Sequence, residues 1–140
     1  MSSKTIEKLH WRYATKRFDS TKTLSEEKLN ILKETFNLTA TSYGLQPLKL
    51  VVVSNAELKS QLMPLTYNQP QVRDASHVLV LCVEKKINEN FIYEHFKRVE
   101  AQRKTPRAIL EPFEQNLLAS FTEKNSEEIK DWMVNQLYLT

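Results

Sequence analysis

Apolar positions recur at helical spacing toward both ends of the chain and gather into two short runs in the middle. Ile6, Leu9, His10 and Tyr13 share one side of a predicted first helix, with Ser2 or Ser3 as its cap and Arg12 in its last turn. Leu24-Ser25-Glu26-Glu27 opens a second helix, capped by Ser25, with Leu29, Leu32, Phe36 and Ile31 facing inward. Thr39 to Gln46 reads as a polar turn region. Leu48 to Val53 is rich in β-branched residues and reads as a buried strand, as does Val78 to Val83. Between them Asn55 caps a short helix through about Met63, Pro64 helps to end it, and Tyr67 to Gln71 is loop or irregular turn. From about Glu89 the pattern is helical, with breaks near Thr105-Pro106 and Glu123-Lys124-Asn125. The last helix starts at Ser126 with Glu128 and Ile129, and carries Trp132, Met133, Gln136, Leu137 and Tyr138.

Composition narrows this picture. At 140 residues and 41% hydrophobic, the chain is one domain's worth of globular protein with enough apolar surface for a core. It shows neither a long uninterrupted apolar run nor a charged start followed by an apolar stretch, so a cytoplasmic setting is the default expectation. A net charge of +3 with mixed signs along the chain favours small anionic ligands over nucleic acid. The basic cluster Lys97, Arg98, Arg103, Lys104 and Arg107 is interleaved with Glu94, Glu100 and Glu111, and reads as a solvated helical face. The single cysteine, Cys82, falls within the second predicted strand and reads as packing rather than as a nucleophile. Gly44 is the only glycine, which excludes a glycine-rich phosphate loop; a bound phosphate must be held by side-chain cations and helix ends. Residues 132–140 are strongly apolar and stop in mid-pattern, and two buried strands are few for a covered sheet. Both features lead to the expectation of a natural continuation beyond Thr140.

The candidate chemistry begins at Arg12-Tyr13-Ala14-Thr15-Lys16-Arg17-Phe18-Asp19, three cations in six residues where the first helix should end. In an extended exit segment Arg12 and Lys16 can converge on one anion while Phe18 packs inward. Cations at this place can equally do no more than complement a helix dipole. His10, His77 and His95 show no metal-ligand spacing, and no Ser-His-Asp or Cys-His arrangement stands out.

Taken with Ser42-Tyr43-Gly44-Leu45-Gln46-Pro47 before the first strand, residues 68–77 (Asn68-Gln69-Pro70-Gln71 through His77) before the second, and residues 131–139 in the last helix, the 12–19 segment resembles the nitroreductase family of FMN-dependent NAD(P)H oxidoreductases. The resemblance runs in order over essentially the whole chain. It implies an α+β fold, an α/β/α sandwich with a mainly antiparallel sheet, incomplete at the C-terminus, and a homodimer with FMN in the subunit interface. It places Arg12 at the FMN phosphate and Ala14 where relatives often have Ser, within the cofactor-binding run that includes Tyr13. Lys16 is placed by the ribityl chain and the N1/O2 edge of the ring, with Asn68 and Gln71 at the pyrimidine edge. Relatives often carry Lys at the Gln71 position. The turn of Ala40, Thr41, Ser42 and Gly44 would come from the partner subunit and line the nicotinamide and substrate side.

The implied activity is ping-pong hydride transfer from NAD(P)H through FMN to a nitroaromatic, quinone or flavin acceptor. Reduction of FMN places negative charge near N1 and O2, which a fixed cation such as Lys16 stabilises. Tyr43 and Tyr67 are candidates to shape the substrate pocket, or else rim or core aromatics. Asn68 can also be read as a turn cap, and Gln46-Pro47 as plain strand entry. A competing expectation is a non-catalytic truncated remnant that dimerises but binds FMN weakly or not at all, because family members continue with further strands and C-terminal basic residues that share the phosphate.

Overall fold

A computed structural model describes residues 3–140. Its elements run α1 (Lys4–Trp11), α2 (Glu26–Leu38), a 3-10 turn at Ser42–Gly44, β1 (Leu48–Val53), α3 (Ala56–Leu62), a 3-10 turn at Met63–Thr66, α4 (Pro70–Asp74), β2 (Val78–Val83), α5 (Glu89–Arg103), α6 (Arg107–Thr122) and α7 (Ser126–Leu139). The fold class is α+β, as expected. The Glu84 N–H donates to Pro47 O, which sets the end of β2 against the start of β1 and makes the pair antiparallel. The chain divides into two compact units, residues 1–26 with 52–79 and residues 27–51 with 80–140.

The second unit holds the apolar core. Leu45, Ile87, Ile92, Phe96, Leu110, Leu117, Leu118, Phe121 and Met133 form one buried cluster. Aromatic edges knit its helices together: Phe96 of α5 meets Phe113 of α6 at 5.5 Å, and Phe121 of α6 meets Trp132 of α7 at 5.1 Å, both T-shaped. The breaks fall where proline and left-handed backbone put them. Lys104 (φ 54°) closes α5 and Pro106 precedes α6. Asn125, one residue before the expected start, caps α7 in a reciprocal box with Glu128. Glu114, fully buried in α6, is paired with Arg107 one to two turns earlier, with 2.8 Å between Arg107 Nη1 and Glu114 Oε2.

The first unit is held differently. Lys59 on α3 is its one buried residue among those described, and its ammonium donates to the carbonyls of Ala75 and Ser76 just after α4. Ser76 Oγ in turn accepts from the Leu24 N–H (2.8 Å) and lies 2.6 Å from His77 Nδ1. Asn55 caps α3 through the Leu58 N–H, as its sequence predicts.

Several expectations change. Ser3 does cap α1, while Ser2 lies outside the described residues. The helix stops at Trp11, so Arg12 is its C-cap in extended backbone rather than part of its last turn, and Tyr13 lies beyond it. Ile6, Leu9 and Phe18 are exposed, as are Ile31 and Leu32 of α2, where Leu29 alone is buried. Helical spacing tells which side chains share a face, not whether another element covers it. Neither strand is buried on both faces: Lys49, Val51, Leu79 and Leu81 are exposed, and Cys82 is only partly covered. Pro70-Gln71 opens the short helix α4 rather than continuing a loop, since proline is pre-organised for the first helical position.

Candidate functional site

In the first unit the 12–19 segment leaves α1 in extended backbone, with the Arg12 N–H still bonded to Lys8 O at 3.0 Å. The side chains of Arg12, Tyr13, Ala14, Lys16 and Arg17 are exposed. Those of Arg12 and Lys16 make no ion pair or side-chain hydrogen bond among the described residues, so both cations stand available to an anion. The segment is anchored at its far end. Asp19 Oδ1 accepts from the Thr21 N–H (3.0 Å) and hydroxyl (2.6 Å), and these bonds hold its carboxyl below the usual range.

Farther along the same unit, Tyr67 (φ 56°) and Asn68 (φ 55°) are consecutive left-handed residues. The Asn68 N–H closes on Met63 O at 3.1 Å and the Gln69 N–H on Thr66 O at 3.1 Å. This double turn lifts Tyr67 into solvent, 93% exposed, and sets up α4. Gln71, in the first turn of α4, is half-buried, and its Oε1 is shielded from solvent with no hydrogen-bond partner. Buried acceptors are nearly always paired, so an orphaned carboxamide oxygen marks a place where a donor is wanted.

In the second unit the 40–46 turn is strained and well tied. Tyr43 (φ 61°), Gly44 (φ 69°) and Gln46 (φ 46°) all have positive φ. At Gly44 the missing Cβ fits that conformation. At Tyr43 a bulky residue is held there by its neighbours, a type of strain that gathers at functional sites. Its ring stacks on Trp132 at 6.0 Å and 18°, and the N–H of Ser42 donates to the Oε1 of buried Gln136 at 2.7 Å. The Gln136 carboxamide is oriented by its own bond to Trp132 O. Thr41 Oγ1 accepts from the Gln46 N–H at 3.1 Å, and Gln46 Nε2 donates to Asn37 O at 3.0 Å.

The turn therefore has two sides. Ser42 and Tyr43 engage α7, whereas Ala40, Thr41 and Gly44 line a groove of about 540 Å³ whose opposite wall is α5. His95, Arg98 and Gln102 come from that wall, together with Arg103 at the helix end. Burial, with Arg98 and Arg103 adding like charge, holds the His95 imidazole below its usual pKa, which favours the neutral ring. Sequence reasoning missed this wall. The basic residues read there as a solvated face are exposed, but His95, Arg98, Val99 and Gln102 fall at i, i+3, i+4 and i+7, and that spacing was the available signal. Gln136 and Trp132, which hold the turn, stand out in the sequence only as positions of the last helix and of its family resemblance.

The strand pair and the helices around it make this an α+β protein. Comparison with known proteins gives the family. Residues 9–132 match the model of the Nitroreductase family, and the chain belongs to it. A relative from Staphylococcus epidermidis, named by inference an NAD(P)H nitroreductase, is 32% identical over 99% of this chain, and one of like name from Bacillus subtilis is 28% identical. The chain spans about two thirds (65%) of the length of the first of these and 66% of the second. Among solved structures, a Bacillus subtilis protein named by inference a nitroreductase superposes with a TM-score of 0.83 at 18% identity, covering 96% of this chain and 65% of that one. An Exiguobacterium sibiricum protein, likewise named by inference a nitroreductase and solved in complex with FMN, superposes at 0.80 and 18% identity, covering 99% of this chain and 66% of that one. At such identities these structures establish the shared fold.

Proposed function

We propose that this chain forms the N-terminal portion of a single nitroreductase-type domain, an FMN-dependent oxidoreductase that uses NAD(P)H to reduce nitroaromatic, quinone or flavin-type acceptors. The observation that carries the reading is the family match over residues 9–132, and the partnerless Gln71 Oε1 fits it as an acceptor of the kind the imide N–H of a flavin pyrimidine ring calls for. Two further features fit the same ligand. Arg12 and Lys16 are exposed cations free to meet a phosphate and an electron-rich ring edge, and Asn68 is offered by the left-handed pair that precedes α4. Bound there, FMN would supply two-electron hydride chemistry between a nicotinamide and the acceptor, and ping-pong kinetics is the expected signature.

The residues of this chain bind and orient. Arg12 holds the phosphate, Tyr13 and Ala14 give it room beside the extended backbone, and Lys16 stabilises negative charge at the N1/O2 edge. Asn68 and Gln71 fix the ring through its pyrimidine side. The turn Ala40, Thr41, Ser42 and Gly44, contributed by a second copy in a homodimer, closes the nicotinamide and substrate side, with Tyr43 and Tyr67 bordering it. The strained, well-anchored backbone at Tyr43 supports a fixed wall in that place. No helix among the described residues is long and apolar enough to cross a membrane, and the proposed setting is the cytoplasm.

Anaerobic titration with FMN tests the assignment. Gln71→Leu should leave the ligand-free melting temperature unchanged or raised, because an unpaired buried acceptor is removed, while weakening FMN about 2- to 10-fold. Lys16→Ala and Arg12→Ala should each weaken FMN as well. A colourless protein whose melting temperature ignores FMN, or equal affinity in all three variants, overturns the reading and leaves the non-catalytic alternative.

A further inference from the structure

The groove between the 37–46 turn and α5 has a chemistry that flavin binding does not use. Four polar side chains of α5 reach it, His95, Arg98, Gln102 and Arg103, and among the described residues no carboxylate lines it. Of the neighbouring acids, Glu94 pairs with Lys97 at 3.4 Å. Arg98 and Arg103 make no ion pair or side-chain hydrogen bond among the described residues, although a groove of about 540 Å³ is large enough for a small organic molecule. Two guanidinium groups left unmatched on one concave wall concentrate positive potential there. Their planar donors suit carboxylate and phosphate oxygens. The Gln102 carboxamide and the His95 ring add uncharged hydrogen-bonding groups beside them.

We propose that this groove binds the oxyanion of a small organic co-substrate, so that the substrates served at the 40–44 turn are those carrying a carboxylate or phosphate group. The choice of occupant rests on the flavin reading, since Ala40, Thr41 and Gly44 are the residues that reading assigns to the nicotinamide and substrate side. The anion preference itself rests on the groove. Arg98 and Arg103 supply charge and direction, Gln102 a neutral partner, and the turn backbone the facing wall, which its bonds from Thr41 and Gln46 keep in place.

The test is a binding titration of the 140-residue chain, read by NMR at the His95 ring and the arginine side-chain resonances, with and without FMN. Two matched probe pairs are compared, 4-nitrobenzoate against 4-nitrobenzamide and NADPH against NADH. The expected result is at least a fivefold preference for the member of one pair that carries the extra anionic group, since NADH and NADPH share the diphosphate; the first pair assigns the anion to the acceptor, the second to the 2′-phosphate of the nucleotide. That preference should vanish in Arg98→Gln/Arg103→Gln and largely return in Arg98→Lys/Arg103→Lys. Equal affinity within both pairs together with NADH binding that is unchanged in the double glutamine variant, or a preference that survives that variant, overturns the proposal. If FMN does not bind yet the anion preference is present and arginine-dependent, the groove stands and the flavin reading falls; if FMN binds without any such preference, the reverse holds.

Discussion

The two units of the chain achieve order by different means. Residues 27–51 and 80–140 bury nine apolar side chains in one cluster, whereas residues 1–26 and 52–79 bury a single lysine among those described. The core-rich unit satisfies its polar groups as well, pairing Glu114 with Arg107 and spending Gln136 on the Ser42 N–H. In the other unit Lys59 cross-braces two carbonyls, Gln71 Oε1 has no partner, and the cations of the 12–17 segment face solvent. A dense core presents its site turn already shaped, while a segment with little burial is stabilised mainly by polar links and by whatever ligand engages its unmatched groups.

The largest expected effect lies in the core. Phe96 is 1% exposed and meets Phe113 edge-on, so Phe96→Ala should cost about 3–5 kcal/mol in denaturant unfolding. A loss below about 1 kcal/mol would mean that the cluster is loosely packed and the contrast between the units is overstated. Lys59→Met probes the opposite mode. It keeps the aliphatic stem but removes the donor to Ala75 and Ser76, and should cost about 1–3 kcal/mol. A neutral or stabilising outcome would show that the first unit does not depend on its polar brace.

A smaller, pH-dependent effect separates the units further. His95 has its pKa lowered in the fold, chiefly by burial, so the unfolded chain takes up the proton more readily. Its contribution to stability is therefore intact above the ordinary value of 6.5 and is lost as pH falls below it toward the depressed folded value. His95→Gln should flatten the fall in melting temperature between pH 7 and pH 5, and an unchanged slope would remove His95 as its source. The smallest effect is expected at Arg12. Arg12→Gln, at an exposed and unpaired side chain, should shift ligand-free stability by no more than about 0.5 kcal/mol, against the weakened FMN binding expected of changes there. A larger stability change would indicate a structural role for this cation.

Local chemistry made much of the chain legible before its structure. Leu48–Val53 and Val78–Val83 are strands over the predicted spans because short β-branched runs have few other good conformations. Asn55 caps its helix because its side-chain oxygen reaches the free N–H two to three residues on, and the helices after Glu89 break at the expected places. The family was also readable, since the motifs at 12–19, 42–47 and 68–77 keep their order along the chain, and the family match covers them all. What the sequence could not settle was which faces are covered. The apolar side of α1 has the right period and still lies open, and each strand keeps one face toward solvent.

Tertiary structure alone decided the orphaned Gln71 oxygen, the Gln136 bond to the turn and the groove that two surface arginines of α5 line. Helical and strand periods arise from backbone geometry within a few residues, so they are written locally. Pairing, burial and concavity depend on elements tens of residues apart meeting in space; the Ser42–Gln136 hydrogen bond joins positions 94 residues apart.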